Sequence, residues 1–387
     1  MEQTTSQLTG SSKLESVRDL SDPLDDPTRP SLAAFADAGH PFSVPVSGDP
    51  RGILCGFDSS LMTSPKEPWL DSSTSPFDLG SRATYDITEK NRLKIILPDT
   101  RGFSASYRDG FSTTAGSTDE HLSAEVGVTV GYPFLNASAT GNYDRAVMSS
   151  ENSIRSSRNA SCATGRVVLD VVPPFSPDTI LLLRGSRDGP SRFRAKYGDY
   201  YICGYELGGN AGACMSGSTT STSTTDTLTL TVTVRALFSE ASTSTSESWT
   251  SCSAGSKLSL SGFSSISGSL EAEELVMGGG PGDEQRAQAI REASARGLAA
   301  VADLPSVVQE KMDQLGLKDG QVMALDAAEG VCRSGLVIKV LLAPFARLNQ
   351  YVGLVNQPPL DVMMDDASGN VLGDPRMAAA ARLFLSA

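Results

Sequence analysis

The chain has 387 residues, of which 39% are hydrophobic and 20% are charged, and its formal net charge is −13. This length allows one large domain with appendages or two ordinary domains. The acidic charge argues against nucleic acid as a partner and against electrostatic capture by anionic lipid, because both need clustered Lys and Arg. Solvation is the simplest interpretation of such acidity.

Residue types that carry chemistry are sparse. His40 and His121 are the only histidines, which argues against a histidine-based triad or a multi-histidine metal site. The six cysteines form no CxxC motif, so disulfides and buried free thiols both stay open. No GxSxG, HExxH or P-loop motif occurs, and the paired acids Glu273–Glu274 and Asp365–Asp366 are interpreted as solvated faces or turns. We predict that the chain is not an enzyme and uses no cofactor or metal.

The first segment, residues 1–48, is polar and rich in Pro and Asp, which predicts a flexible leader. Its first twenty residues have no apolar core and therefore do not form a secretory signal. No run of about 18 apolar residues predicts a transmembrane helix anywhere in the chain.

From about Gly52 the sequence becomes strand-like. Short apolar or alternating segments bounded by Pro, Ser and Asp predict strands, namely RGILCGF, RATYDI, LKIILP and CATGRVVLDVVPPF. A connection through TILLLRG then leads to KYGDYYICGYELGG, residues 196–209. This stretch holds four of the nine tyrosines and ends on a glycine pair. Taken alone, it predicts a buried aromatic strand.

Two Ser/Thr-rich blocks, residues 111–160 and 216–269, flank this central region. Each contains apolar residues that alternate with polar ones: Val126, Val128 and Val130 in the first block, and Leu228, Leu230, Val232, Val234, Leu258 and Leu260 in the second. A low-complexity linker is the alternative interpretation. Alternation and β-branched Thr favour long amphipathic hairpin strands instead.

The last third of the chain begins with GGGPG, residues 278–282, which is interpreted as a turn because no GK[ST] follows it. Ala, Leu and Val recur at helical spacing after it and predict helices over residues 283–304 and 306–316. The run GLVIKVLLAPFARLNQYVGLV is apolar and predicts a buried strand. Residues 356–387 are predicted to form a loop-like tail that ends in a small helix.

This arrangement, with YGDYYICGYELGG between two Ser/Thr-rich blocks, resembles the membrane-attack-complex/perforin (MACPF) superfamily. The matching signature residues are Tyr197, Gly198, Tyr201, Ile202, Gly208 and Gly209. Asp199 and Tyr200 stand where Thr and His are commonest in that signature. This departure, with GRVVLD, FSPDTILLL and GLVIKVLLAPFARL, is similar to the MACPF-like branch common in fungi.

The resemblance implies an α+β fold with a bent, twisted, four-stranded antiparallel sheet of the MACPF/CDC type, flanked by helices. Residues 49–355 would form this domain, between the leader at 1–48 and the tail at 356–387. The two blocks would be insertions that are usually helical in the soluble form and unfurl into β-hairpins. The Gly208–Gly209 pair would be the place where the sheet flexes, or alternatively an ordinary bulge or turn.

The function implied is a pore-forming or membrane-perturbing protein that oligomerises and inserts these hairpins. Its partners would be membrane lipid or a membrane receptor, further copies of itself and a recruiting protein, but not nucleic acid. Its location would be cytoplasmic, or outside the cell by an unconventional route, with action at membranes. TLTLTVTVRALF is long enough for one membrane strand, whereas Val126–Val130 is short and is followed by Pro133. A non-lytic MACPF-fold interaction, defence or developmental protein is therefore the alternative.

Overall fold

The computed structural model of the chain describes residues 36–46, 51–62, 64, 66–70, 75–78, 92–98, 105–113, 121–123, 139–149, 154–238, 256–276 and 283–357. The strands are β1 (Phe42–Pro45), β2 (Gly56–Phe57), β3 (Leu93–Ile96), β4 (Ser106–Ser112), β5 (Ile154–Leu169), β6 (Tyr200–Ser218), β7 (Lys257–Ser264), β8 (Gly268–Val276), β9 (Val322–Met323) and β10 (Val337–Pro344). The helices are α1 (Ala139–Ser149), α2 (Pro177–Arg184), α3 (Gly189–Tyr197), α4 (Thr224–Leu237), α5 (Asp283–Ala302), α6 (Leu304–Gln314), α7 (Leu325–Cys332) and α8 (Asn349–Val355).

The strands form one antiparallel sheet around the two longest, β5 with 16 residues and β6 with 19. Both central strands change their outer partner partway along. The first part of β6, up to Leu207, pairs with β10, and its last part, from Ala211, pairs with β7. On the other side, β5 pairs with β4 up to Ser161 and with β3 from Arg166.

These partner changes divide the sheet in two. We call the "basal part" residues 200–207 and 166–169 of the central strands together with β1, β2, β3, β9 and β10. The "distal part" is residues 211–218 and 154–161 together with β4, β7 and β8. Gly208 and Gly209 lie at the junction, and β5 shows a register shift between Ala163 and Gly165 opposite them.

The predicted α+β class, with a large antiparallel sheet flanked by helices, is confirmed. The predicted count of four strands is wrong, because ten strands are joined among the described residues. The physical reason lies in the partner changes. Each part is centred on β5 and β6 with one strand on either side. The strand beside β6 is β10 in the basal part and β7 in the distal part, and the strand beside β5 is β3 in the basal part and β4 in the distal part. The other four strands, β1, β2, β8 and β9, pair with members of this set.

Helices cover both parts of the sheet. The basal core combines buried apolar side chains of β5, β6 and β10 with those of α6 and α7. In the distal part, α4 and α5 pack on one face and α1 packs on the other. The two predicted helices after residue 282 are confirmed as α5 and α6. No helix in the described part of the chain is long and apolar enough to cross a membrane.

Several predictions of secondary structure are wrong. The strand predicted for residues 196–209 begins only at Tyr200, because Lys196 and Tyr197 end helix α3. The strand predicted for residues 51–57 is limited to Gly56–Phe57. The alternating segment Leu228–Val234 lies in helix α4 and not in a strand. The apolar run from Gly335 to Val355 forms only one strand, β10, after which the 3-10 turn Phe345–Arg347 and α8 follow. The leader up to residue 35, the alternating valines at 126, 128 and 130, and the tail from residue 358 lie outside the described residues.

Candidate functional site: the glycine junction and the two inserted helices

The signature begins where α3 ends and β6 starts. Gly198 has φ +80°, a left-handed value that favours glycine. A Cβ on Gly198 would lie 2.3 Å from the carbonyl oxygen of Phe57, so a side chain would also collide with β2. The amide of Gly198 donates to the carbonyl of Arg194 and closes the helix. Glycine is therefore required here by both backbone conformation and space.

Asp199 ties three segments together at the same point. Its carboxylate accepts hydrogen bonds from the amide of Ser59 at 2.8 Å and from the Ser59 hydroxyl. The guanidinium of Arg194 lies 3.1 Å from the same carboxylate. The backbone amide of Asp199 donates to the carbonyl of Phe57. The residue that departs from the commonest form of the signature thus joins α3, β2 and the turn that follows β2.

The tyrosines of the signature anchor loops and fill the basal core. Tyr200 donates its hydroxyl to the carbonyl of Ala36 at 2.9 Å, and Tyr205 donates to that of Arg51 at 2.8 Å. The ring of Tyr201 lies 5.1 Å from that of Phe345 and belongs to an aromatic cluster. Burial raises the pKa of Tyr200 to about 12 and also raises the pKa of Tyr201 and of Tyr205. These hydroxyls therefore stay protonated and can act as donors.

The glycine pair lies where both faces of β6 meet close neighbours. A Cβ on Gly208 would lie 2.0 Å from the carbonyl oxygen of Cys162 on β5. A Cβ on Gly209 would lie 2.6 Å from a methyl group of Val308 and 2.8 Å from one of Leu304, both on α6. Gly208 thus permits close approach of β5, and Gly209 permits close approach of α6. That the sheet flexes at the Gly208–Gly209 pair stays a prediction.

Helix α4 divides the predicted membrane-facing residues between two environments. Leu230 and Val234 are fully buried against Met215, Leu258 and other apolar residues of the distal part. Leu228 and Val232 are 65% and 55% exposed. This division follows from geometry, because residues four apart share a helix face whereas residues two apart share a strand face. The stripe predicted for a strand therefore does not form one surface here.

The composition of α4 is poor for a helix. Six Thr and two Val make eight β-branched residues among its 14, and such residues lose side-chain freedom in a helix. Its N-cap residue, Ser223, makes no side-chain capping bond. The hydroxyls of Thr227, Thr229, Thr231 and Thr233 each donate to the carbonyl four residues earlier. Bonds of this type slightly destabilise and bend helices. Packing by its buried face must therefore supply much of the stability of α4.

Helix α1 is held on the opposite face by polar contacts as well as apolar ones. Tyr143 donates its hydroxyl to the carbonyl of His121 at 2.9 Å. The carboxylate of Asp144 accepts from the amide and the hydroxyl of Ser123, both at 2.7 Å. Asn159 of β5 donates to the carbonyl of Leu122 at 3.2 Å. We call these residues, together with Ser112, Ser157 and Arg155, the "His121 cluster". Every one of these side chains is buried.

The structure therefore separates the predicted site residues into two groups. The signature residues Tyr197–Tyr201 lie together at the start of β6, and Leu258 and Leu260 are buried on β7 beside α4. Sequence reasoning missed the His121 cluster, because it used His121 only to argue against a histidine triad or a multi-histidine metal site. Asp119 and Glu120 precede His121, and Leu122 is a single apolar residue before Ser123, so no periodic pattern marks the burial of His121.

Metal ligands and reactive thiols do not come together in the described ranges. Within them, no group of three or more His, Cys, Asp or Glu could hold a metal ion. Of the cysteines in these ranges, Cys162, Cys203 and Cys214 are free thiols. Burial raises the pKa of Cys214 to about 12 and that of Cys203 to about 11, which keeps both protonated and unreactive.

No protein-family model and no curated protein matches the chain. Among solved structures, the chain is similar to wild-type pneumolysin, with a TM-score of 0.30 and 11% identity over 82% of this chain and 60% of that one. It is similar to the cytotoxin protein suilysin from Streptococcus suis, with a TM-score of 0.26 and 11% identity over 66% of this chain and 56% of that one. It is also similar to a MAC/perforin-domain protein from Bacteroides thetaiotaomicron, with a TM-score of 0.22 and 11% identity over 86% of this chain and 70% of that one.

The chain thus spans 60% of the length of the pneumolysin chain. These TM-scores are well below 0.5, so the matches carry no argument about activity. The described architecture has features that the MACPF/CDC resemblance implied: one antiparallel sheet with two long central strands, flanked by helices, with a helix in each of the two inserted blocks. Assignment to the fungal branch stays a prediction, as do the domain boundaries.

Proposed function

We propose that this chain is a pore-forming-type protein that oligomerises and inserts hairpins built from residues 111–160 and 216–269 into a target membrane. Its partners would be membrane lipid or a membrane receptor and further copies of the same chain. The proposed action needs no catalytic residue and no cofactor. It would take place at a membrane, whether the chain acts from the cytoplasm or after release by an unconventional route.

The observation that carries this proposal is the continuity between strands and inserted helices. Helix α1 lies between β4 and β5, and α4 lies between β6 and β7. Only residues 150–153 separate α1 from β5, and only residues 219–223 separate β6 from α4. Each helix therefore follows or precedes a strand of the distal part almost directly along the chain. Refolding of either helix would lengthen strands that already exist.

The sequence of α4 supports such refolding. As a helix, it exposes Leu228 and Val232 and has a high content of β-branched residues. As a strand, the same segment would place its four large apolar residues on one face and its threonines on the other. A conflict between the local pattern and the folded state is expected at functional sites. The conflict in α4 supports a second conformation in which the apolar stripe meets lipid.

The test compares two neighbouring positions that are both exposed on α4. Leu228→Asp and Thr227→Asp each place one new carboxylate on the same helix surface, so both variants should fold like the wild type. In a membrane strand, only Leu228 would face lipid, where a charge is costly. Dye release from vesicles of several lipid compositions, including sterol-containing and anionic ones, is the measurement. We expect Leu228→Asp to lower release at least about tenfold and Thr227→Asp to retain it.

Two outcomes would count against the proposal. Equal release by the two variants would show that the alternating residues do not face lipid. Absence of release by the wild type from every vesicle composition would remove the pore-forming function itself.

The second candidate is a non-lytic MACPF-fold protein that binds a partner and does not insert. One observation favours it. Helix α1 lacks the alternation of α4, because Arg145 would lie on the same strand face as Tyr143 and Val147. A charge in that position is unfavourable toward lipid. Binding to vesicles without release of their contents, and without rings in electron micrographs, would support this candidate over the first.

A further inference from the structure

His121 is completely buried between the sheet and α1. Its Nε2 atom lies 2.7 Å from the hydroxyl of Ser112 on β4, and its Nδ1 atom lies 2.8 Å from the hydroxyl of Ser157 on β5. Its carbonyl accepts the hydroxyl of Tyr143 from α1. Both ring nitrogens are therefore engaged by serines, and the ring has no access to a substrate. The arrangement positions a helix on a sheet and does not form a catalytic site.

Among the described residues, the charged and titratable groups around the ring come from four elements. Arg108 lies on β4, and Arg155, which is 2% exposed, lies on β5. Helix α1 contributes Asp144, whose carboxylate is bound by Ser123, and Tyr143. Strand β6 contributes the buried thiol of Cys214. The fields of the two arginines both oppose a positive charge on the ring.

A neutral imidazole suits these contacts, because it donates through one nitrogen and accepts through the other. One serine hydroxyl then donates to the ring and the other accepts from it. A protonated ring donates through both nitrogens, so the donating hydroxyl no longer has the ring as its acceptor. The proton would also add a second buried cation close to Arg155. Both effects penalise the closed arrangement and leave the open one unaffected.

We propose that acidification releases helix α1 from the distal sheet through protonation of His121. Release breaks the hydrogen bonds from Tyr143 to the His121 carbonyl and from Ser123 to Asp144. The role of this step in hairpin formation rests on the proposed function, since α1 belongs to the first inserted block. The release itself takes place in solution and needs no membrane.

The direction of the pH effect on α1 release follows from the proton affinities of the closed and open states. Burial first, and then Arg155 and Arg108, lower the pKa of His121 from 6.5 to about 4. In an open state the ring regains its ordinary pKa, so the open state binds the proton more tightly. Stability of the closed state is complete above pH 6.5 and is lost as the pH falls toward 4. From pH 7 to pH 5 the opening constant should rise about 20-fold.

The experiment is amide hydrogen exchange of the intact protein at pH 7, 6 and 5, corrected for the intrinsic pH dependence of exchange. The variants are His121→Gln, which keeps a donor and an acceptor but does not titrate, and His40→Gln, which removes the other histidine. We expect amides of α1 in the wild type and in His40→Gln to lose protection about 20-fold between pH 7 and pH 5. In His121→Gln the change should stay below about twofold, and β10 should keep its protection in all three proteins.

Equal loss of protection in the wild type and in His121→Gln would overturn the proposal, because Asp144 and the arginines are still present in that variant. An unchanged protection of α1 in the wild type would overturn it as well. If His121→Gln does not fold, NMR titration of the single histidine in His40→Gln provides the test. Titration near pH 6.5 with α1 still protected would contradict the proposal. Acid release of α1 without any vesicle leakage at pH 5 would leave this inference standing and count against the proposed function.

Discussion

The basal and distal parts of the sheet share β5 and β6, yet different interactions hold their coverings in place. In the basal part, rings of Phe193, Tyr201 and Phe345 pack against one another, and the hydroxyls of Tyr200 and Tyr205 bind loop carbonyls. In the distal part, one face carries α4, whose sequence is poor for a helix. The other face carries α1, which is held by a buried polar cluster whose hydrogen bonds depend on the protonation of one ring.

The difference teaches that stability is distributed unevenly along two continuous strands. Aromatic packing is insensitive to pH and resists local opening, because several rings must separate at the same time. The pairing of β5 with β6 is direct, so release of α4 or α1 would leave these two strands paired with one another. The coverings most suited to release therefore lie on the inserted blocks, and those least suited lie at the signature.

The largest loss of stability is expected for a substitution in the core of the basal part. Tyr201→Ala removes a ring that is 3% exposed and contacts Phe77 and Phe345. We expect the free energy of unfolding to fall by about 4 kcal/mol, because a large buried aromatic side chain leaves a cavity. Chemical denaturation followed by circular dichroism measures this change. Tyr107, which is 52% exposed on β4, is the matched control, and Tyr107→Ala should cost less than about 1 kcal/mol. Similar costs for the two variants would contradict the comparison.

A somewhat smaller effect is expected in the distal part. Leu230→Ala removes a fully buried side chain from the contact between α4 and the sheet, and should cost about 3 kcal/mol. We expect this destabilisation to appear as faster hydrogen exchange in α4, with little change in β10. Leu228→Ala, on the exposed side of the same helix, should change stability by less than about 0.5 kcal/mol. Uniform loss of protection across both parts of the sheet would show that α4 does not open independently.

The smallest loss of stability is expected for a substitution at the junction between the two parts. A methyl group at Gly208 would lie 2.0 Å from the Cys162 carbonyl, so Gly208→Ala must push β5 away. We expect a cost of about 2 kcal/mol, with exchange increased on both sides of the junction. Gly353→Ala on α8 is the control, because no atom lies within 4 Å of its added carbon. It should gain roughly 0.5–1 kcal/mol from helix propensity. A neutral Gly208→Ala would remove the steric basis of the junction.

Much of the basal part could be predicted from the sequence. LKIILP occurs as β3, CATGRVVLDVVPPF occurs in β5 up to Leu169, and KYGDYYICGYELGG occurs in β6 from Tyr200 onward. Their signals are local, since each strand is apolar and bounded by residues that end strands. The helices α5 and α6 could also be predicted, because their apolar residues recur at helical spacing.

The distal part could be predicted less well, for two physical reasons. The alternation of Leu228–Val234 favours a strand, but burial of Leu230 and Val234 against β6, β7 and α5 stabilises a helix instead. Tertiary contacts override local preference in this way wherever packing is available. The His121 cluster is formed by β4, β5, α1 and the segment around residue 121, so its residues are far apart in sequence. No local pattern could bring them together.

The length of the distal segment of β6 has a mechanical consequence. At about 3.3 Å per residue, the stretch from Gly208 to Ser218 forms an arm of about 33 Å. A rotation of about 20° at the junction would displace its tip by about 11 Å, which is close to the diameter of a helix. If the sheet flexes at the two glycines as predicted, leverage of this kind would convert a small change in backbone angle into clearance for an entire helix.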